Sequence, residues 1–353
     1  MALRNVLGKM DLARLIIAAF FVFLCIAAIA LRLDFAELIT SSLTRIGMWL
    51  VLVLAMLPAI VSGIGPNFGV SLGILCGLLG GLTALELAYR LEEIVQFSPG
   101  MLFIMAVFFS LPFSLLMGVG YGWLLNRVKG SEMMIATYVG FSMVSIMKLA
   151  WVFLPFKNPE MAWPIGRGVR VQVALGNRGL AQLLNNFLAF RIGDVVIPTG
   201  LLLTGALCAF LVWLFMRSQT GMAVAASGSN PRFAQAAGIS VDRQRIIGTV
   251  LSTVLGAVGI LIYSQSYGFL QLYEGPMFMP FVAVAAILIG GASVNKASIT
   301  HVVVGTILFL GIQVVAVPVA NAFTADWSSM GEISRKIIQN GVILYALTQA
   351  GGE

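Results

Sequence analysis

The sequence predicts an all-α polytopic membrane fold, one transmembrane domain over residues 1–353 with about ten crossing helices. Three observations carry this. Hydrophobic residues make up 59% of the chain and charged residues 10%, where a soluble domain carries about 25% charged residues. Mean hydropathy is +0.99. The apolar residues fall in separate runs near the roughly 20 residues that a helix needs to cross a bilayer, and no stretch alternates convincingly with the period of a strand. Backbone in lipid must satisfy its own polar groups, so helices are the spanning element.

Arg4, Lys9 and Arg14 precede the first apolar run, Leu15 to Leu31. The pattern resembles a signal peptide, with Ala27-Ala-Ile-Ala30 in the place of a cleavage site. The run is long enough to span and is read as an uncleaved first helix, 15–32. The other crossings are read at 47–64, 67–88, 101–126, 133–154, 196–216, 246–264, 277–293, 300–320 and 336–350. Gly65-Pro66-Asn67 breaks the third at its start, and the eighth and tenth are short. Loop 155–195 is the one large segment outside the spans, too small for an independent domain. With Trp163, Pro164 and several arginines, it reads either as a solvated cap or as a docking surface for an external protein.

Net charge is +7, which in a membrane protein reflects loop charge rather than nucleic-acid binding. The 21 Lys and Arg do not set the orientation: ten fall on each side, with Lys148 inside a span. The first helix favours an N-terminus inside, and an even number of spans then places both termini in the cytoplasm, with the bacterial inner membrane as the expected location. Cys25, Cys76 and Cys208 lie in apolar runs and read as small buried hydrophobes, not as a disulfide or metal framework.

Gly65, Gly69, Gly73, Gly77 and Gly81 recur every fourth residue and share one helix face, where another backbone can approach closely. The stripe reads as tight packing of a central helix, or as the lining of a pathway. Glu86 and Lys148 are the ionisable residues within runs, each with a structural reading by snorkelling or pairing. A proton-coupled carrier ordinarily needs a relay of intramembrane Asp, Glu or His, and the one histidine, His301, starts a helix. Neutral polar and aromatic side chains are better represented. Asn67, Phe68, Tyr263, Gln265 and Gln313 are the candidate pathway residues, beside Tyr267 and Asn321; they suit an uncharged hydroxylated solute, or serve as interfacial and interhelical groups. No catalytic constellation is present, no metal site is expected, and no lysine sits in a nucleotide-binding glycine loop. If ATP drives the protein, another chain must bind it.

Residues 217–245 form a polar island between two apolar runs. Within it, Asn230 suits an N-cap, Pro231 the first helical position and Gly238 a C-terminal stop. These bracket a helix of about two turns, Pro231 to Ala237, with Phe233, Ala234 and Ala237 on one side. Ser240 is placed to cap the next helix, with Asp242 in its first turn. An apolar knob on a short capped helix in water needs a groove to fill.

Gly228-Ser-Asn230-Pro231-Arg-Phe-Ala234-Gln-Ala-Ala-Gly238-Ile239 resembles the cytoplasmic motif of the membrane permeases of ABC importers for branched-chain amino acids, simple sugars and nucleosides. Asn126-Arg-Val-Lys-Gly-Ser-Glu-Met-Met-Ile-Ala-Thr137 is similar to that family's short cytoplasmic turn, and Ile289-Gly290-Gly291 to its Gly-Gly after an apolar run. Asn295, Lys296 and Ala297 replace the glycines expected next. Asn67-Phe68-Gly69-Val70 resembles the Asn-Ile-Gly-Val of nucleoside-type members, with Ser71 in place of their glutamate. The likeness spans roughly residues 47–320. It implies a permease subunit, not an enzyme, that forms the pathway for a small hydrophilic solute, a simple sugar or nucleoside. Asn230, Pro231, Phe233, Ala234, Ala237 and Gly238 would dock into an ATP-binding subunit that holds ATP and magnesium. A second permease copy or paralogue, an extracytoplasmic solute-binding protein and membrane lipid complete the implied partners. The competing reading is an ion-coupled secondary transporter working through a membrane carboxylate such as Glu86.

Overall fold

The computed structural model describes residues 12–163 and 168–323 and positions 336, 337, 340 and 341. The expected crossing at 336–350 lies outside the described residues as a unit, as do Pro164 and Arg167. Among the described residues, seven helices are long and apolar enough to cross a membrane, and two shorter apolar helices, Arg14–Ala30 and Gly275–Ile289, accompany them.

Helix α1 (Leu12–Ala30) is followed by α2 (Phe35–Leu54), whose first turn is held by Asp34 accepting from the Glu37 amide at 3.0 Å. The expected span at 47–64 thus begins twelve residues too late. The polar start of α2, with Glu37, Thr40 and Thr44, lowers the hydropathy there without ending the helix. At its other end α2 stops at Leu54 and α3 (Met56–Val61) resumes after Ala55. Pro58 explains the stop, because its ring crowds the carbonyl four residues earlier and has no amide to donate.

The expected break follows. Gly63 and Gly65 take positive φ, +79° and +89°, and a short 3-10 turn, Phe68–Val70, leads into α4 (Ser71–Arg90). Then come α5 (Pro99–Arg127), started by a Ser98 cap with Pro99 in the first turn, and α6 (Glu132–Phe153). The described part of the loop after α6 folds as a cap. It holds β1 (Gln172–Ala174), α7 (Leu183–Asn186), and a hairpin of β2 (Phe190–Ile192) and β3 (Val195–Ile197). The spanning part is helical as expected, but these ladders correct the expectation that strands are absent. After α8 (Thr199–Arg217) come α9 (Gln219–Ser229), α10 (Pro231–Ala236) and α11 (Val241–Tyr267). Left-handed Gly268 ends α11, and β4 (Phe269–Gln271) pairs antiparallel with β1. Finally α12 (Gly275–Ile289) and α13 (Ile299–Phe323) form a close pair. A Cβ on Gly290 would fall 1.8 Å from the His301 carbonyl, and one on Gly305 1.9 Å from that of Ala286.

The α4 segment is the centre of the bundle: 89% of its apolar window is covered, against 28% for α5, 17% for α6 and 22% for α8. The last three therefore present Phe108, Leu116, Ile146, Leu207 and Phe210 outward, to lipid or to another chain. Lipid gives helices no hydrophobic reason to associate, so close backbone packing has to supply the attraction. Two members of the glycine stripe, Gly73 and Gly77, do this against backbone, and a third, Gly69, makes room for a side chain. A Cβ on Gly73 would meet the Thr253 carbonyl at 2.3 Å, one on Gly77 the Ala257 carbonyl at 2.4 Å, and one on Gly69 the Tyr121 hydroxyl at 2.1 Å. Gly65 lies before the helix, and Gly81 faces only the Leu261 and Leu270 side chains, at 3.3 and 3.5 Å.

Glu86 holds the cap loop to the bundle. Its carboxylate, on a residue 6% exposed, accepts from the Lys157 and Asn158 amides at 3.0 Å each and from Arg90 Nε at 2.8 Å. Arg178 ties the same loop to Glu92 at 3.0 Å and Glu160 at 3.4 Å.

Two outcomes are expected from this packing. Gly73→Val and Gly77→Val lose the monodisperse peak on size exclusion in detergent, while Gly81→Ala keeps it. Glu86→Ala leaves the bundle folded but exposes the segment after α6 to limited proteolysis.

Candidate coupling site

The polar island folds as a helix-turn-helix, and its first half went unrecognised in the sequence. Ser218 accepts from the Gly221 amide at 3.2 Å and starts α9, which buries Gly221, Val224 and Ser227. Helix α10 begins where the motif predicts: Asn230 Oδ1 accepts from the Phe233 amide at 3.0 Å, with Pro231 in the first turn. It runs six residues, with Ala237 as its C-cap and Gly238 at φ +79°. The Gly238 amide then reaches the Gln235 carbonyl, and the Ile239 amide that of Ala234.

The three apolar residues assigned to one side of α10 are in fact divided. Ala234 is fully buried, whereas Phe233 is 69% exposed and Ala237 lies in the open. Ala234 packs inward because α9 and α11 run beneath α10. Ser240 starts α11 without a side-chain cap bond, which also departs from expectation. The result is a small helix seated by Ala234 that presents Phe233 at its surface.

Below this element lies the helix break. Glycine meets glycine: a Cβ on Gly63 would fall 2.9 Å from Gly228 Cα, and one on Gly228 2.0 Å from the Val61 carbonyl. Gly248 of α11 comes as close to Ser62. Residues 62 and 64–67 are buried, so their polar groups need partners within the protein. The Ser62, Gly63 and Ile64 amides reach the Pro58, Ile60 and Ala59 carbonyls, and Asn67 ties the end of the break to its neighbours. Its Oδ1 accepts from the Gly69 amide at 3.0 Å and from Tyr121 Oη at 2.8 Å, and its Nδ2 donates to Ser252 Oγ at 2.9 Å.

Arg245, 8% exposed, closes the same end of the bundle. It donates to Asn126 Oδ1 at 3.0 Å, to the Gly63 carbonyl at 3.3 Å and to Glu132 Oε1 at 2.5 Å. Lys129 pairs with Asp242, and Asn126 Nδ2 donates to the Asp242 carbonyl at 2.8 Å. The second Glu132 oxygen accepts from the Gly130 amide at 2.7 Å. Removing one partner of such a buried pair costs about 3–5 kcal/mol, because the other charge is left uncompensated. None of this cluster was among the predicted site residues. A signal was present: Arg245 directly precedes the apolar run that starts at Ile246, where a guanidinium that becomes buried needs acceptors.

The five candidate pathway residues do not converge. Asn67 and Phe68 sit at the start of α4, with Phe68 against the Phe281 ring at 5.2 Å. Tyr263 packs edge-on to Trp49 at 5.2 Å and stacks on Tyr267 at 5.7 Å. Gln265 is turned to the cap loop, where Oε1 accepts from the Leu184 amide at 3.0 Å. Gln313 lines a separate cavity of about 410 Å³ with Asp34, Glu37 and Arg45. In this conformation Asn67 and Gln265 are hydrogen-bonded within the chain. No cluster of His, Cys, Asp or Glu among the described residues is arranged to hold a metal.

Asn67→Ala strands the Gly69 amide and the Tyr121 hydroxyl, at about 1–3 kcal/mol for each buried group. Its melting temperature in detergent is expected to fall clearly further than that of Tyr121→Phe, which removes one bond and strands less.

Comparison with known proteins gives one match. The family model described as "Branched-chain amino acid transport system / permease component" covers residues 38–347. No curated protein and no solved structure matches the chain.

Proposed function

This chain belongs to the family of permease components of branched-chain amino acid transport systems, and on that premise we propose that it is the translocation subunit of an ATP-driven importer. The helix-turn-helix of α9 and α10 is the surface on which the ATP-binding subunit docks. One observation supports this above the rest: Phe233 is 69% exposed on a helix fixed at both ends, by Asn230 and by Gly238. A floppy loop would fold its phenylalanine away. A rigid one that presents it has a partner groove to fill.

In this reading the α10 end of the bundle is cytoplasmic, both termini lie on that side of the bacterial inner membrane, and ten helices cross it. The subunit works with a second permease copy or paralogue and an extracytoplasmic solute-binding protein. ATP and magnesium are held by the partner, whose cycle shifts the permease between outward- and inward-facing states. The solute is a simple sugar or nucleoside. The likeness of Asn67-Phe68-Gly69-Val70 to nucleoside-type members supports this choice, as does the neutral character of the polar side chains within the spans. An ion-coupled mechanism finds less support, because the Glu86 carboxylate is engaged by two loop amides and Arg90.

Burying a phenylalanine is worth about 1.5–3 kcal/mol, and 1.4 kcal/mol is tenfold in affinity. Phe233→Asp, coexpressed with the ATP-binding subunit, is expected to lower copurification more than tenfold while the permease stays monodisperse. Copurification and ATP-dependent uptake at the parent level would refute the docking role.

A further inference from the structure

We infer that Arg245 is a positioning residue for the transport cycle: it clasps the helix break to the turn between α5 and α6, so that movement of the docking element is carried into the break. This rests on the docking role proposed for α10.

Three separate segments meet on one guanidinium. Asn126 and Glu132 flank the α5–α6 turn, Gly63 belongs to the break, and Arg245 lies in the second turn of α11, seven residues after Gly238. A planar fork with five N–H donors serves three acceptors in different directions, which an ammonium on a flexible stem does not do equally well. The other side of the docking element touches the same break, since Gly228 at the end of α9 lies on Val61 and Gly63 with no side chain between them. The break is thus held from before α10 and from after it. The break also has hinge character, with two glycines at positive φ between buried helices. A displacement of α10 that shifts Arg245 must move Gly63 or part its hydrogen bond to Arg245, and must move the α5–α6 turn or part the ion pair with Glu132.

The adjoining cavity offers a readout. It measures about 360 Å³ and is lined by Gly63, Gly65, Glu132 and Val294. Val294 packs on Gly65, with its Cγ1 3.3 Å from where a Cβ would stand. A cysteine placed there reports the break itself.

The experiment uses the full chain with its bound ATP-binding subunit, carrying Val294→Cys. The rate of labelling by a charged maleimide is measured with and without ATP plus orthovanadate, and corrected for the chain without that substitution. The clasp predicts a change of fivefold or more in the parent. It predicts less than twofold in Glu132→Gln, which keeps the shape and loses the ion pair, and in Arg245→Lys, which keeps the charge and loses the fork. Copurification of the ATP-binding subunit stays at the parent level in both. If Arg245→Lys fails to fold, the isosteric Glu132→Gln decides alone. A full nucleotide response in Glu132→Gln overturns the clasp and leaves the docking role standing, as does an absent response in a parent that retains its subunit. A parent chain that does not copurify with the subunit takes down both readings.

Discussion

A broken helix inside an apolar protein has no water to satisfy it, and this constraint organises one end of the molecule. Between Val61 and Phe68 the helix ends while the chain stays largely buried, with the Ser62, Gly63 and Ile64 amides still bonded to the Pro58, Ile60 and Ala59 carbonyls. An unsatisfied backbone group there costs several kcal/mol, so the break depends on these local bonds together with contacts from other segments. Asn67 supplies side-chain partners for Gly69, Tyr121 and Ser252, and Arg245 takes the Gly63 carbonyl. Glycines at 63, 228 and 248 remove the side chains that would hold the answering segments off. The break is therefore specified by residues from α5, α9 and α11 as much as by its own sequence.

The same arrangement connects a surface to an interior. Helix α10 stands outside, seated by Ala234 and topped by Phe233. Directly beneath it, α9 ends on the break and α11 begins with the arginine that binds it. Packed elements of this kind respond to a load as discrete shifts, not as gradual bending. By contrast, the far end of the bundle is tied down, with Glu86 and Arg178 fixing the cap loop through bonds to its amides and acidic side chains. One end is built around Gly63 and Gly65 at positive φ with two ion pairs, Arg245 to Glu132 and Lys129 to Asp242, and the other around a loop bonded to the bundle through Glu86.

Much of the fold was legible because lipid imposes simple rules. Run lengths located most of the long helices among the described residues, and the Gly-Pro-Asn break and the Asn230 cap were visible in the residues themselves. The start of α2 was missed because Glu37, Thr40 and Arg45 lower the hydropathy of what is still helix. Helix α9 was missed because Gly221, Gly228 and three serines read as loop, when the glycines are there for close backbone approach. Taking α9 for loop also misplaced Ala234, since nothing then lay beneath α10 to bury it. The Arg245 cluster was hidden for a topological reason: its partners lie 113, 119 and 182 residues away in the chain, and no local pattern encodes such pairings. The candidate pathway residues, chosen as neutral polar and aromatic side chains, lie apart in this conformation. Buried polar groups in a membrane are taken up by structural bonds first, as Asn67 and Gln265 show.

If α10 is the docking element, a partner bound there is felt at the helix break. Amide hydrogen exchange on the permease, alone and with its ATP-binding subunit, tests this most directly. Binding is expected to change protection in two stretches together, 230–239 on the surface and 61–70 in the interior, with the cap loop after α6 unchanged. A change confined to 230–239, with the break exchanging as before, would contradict it.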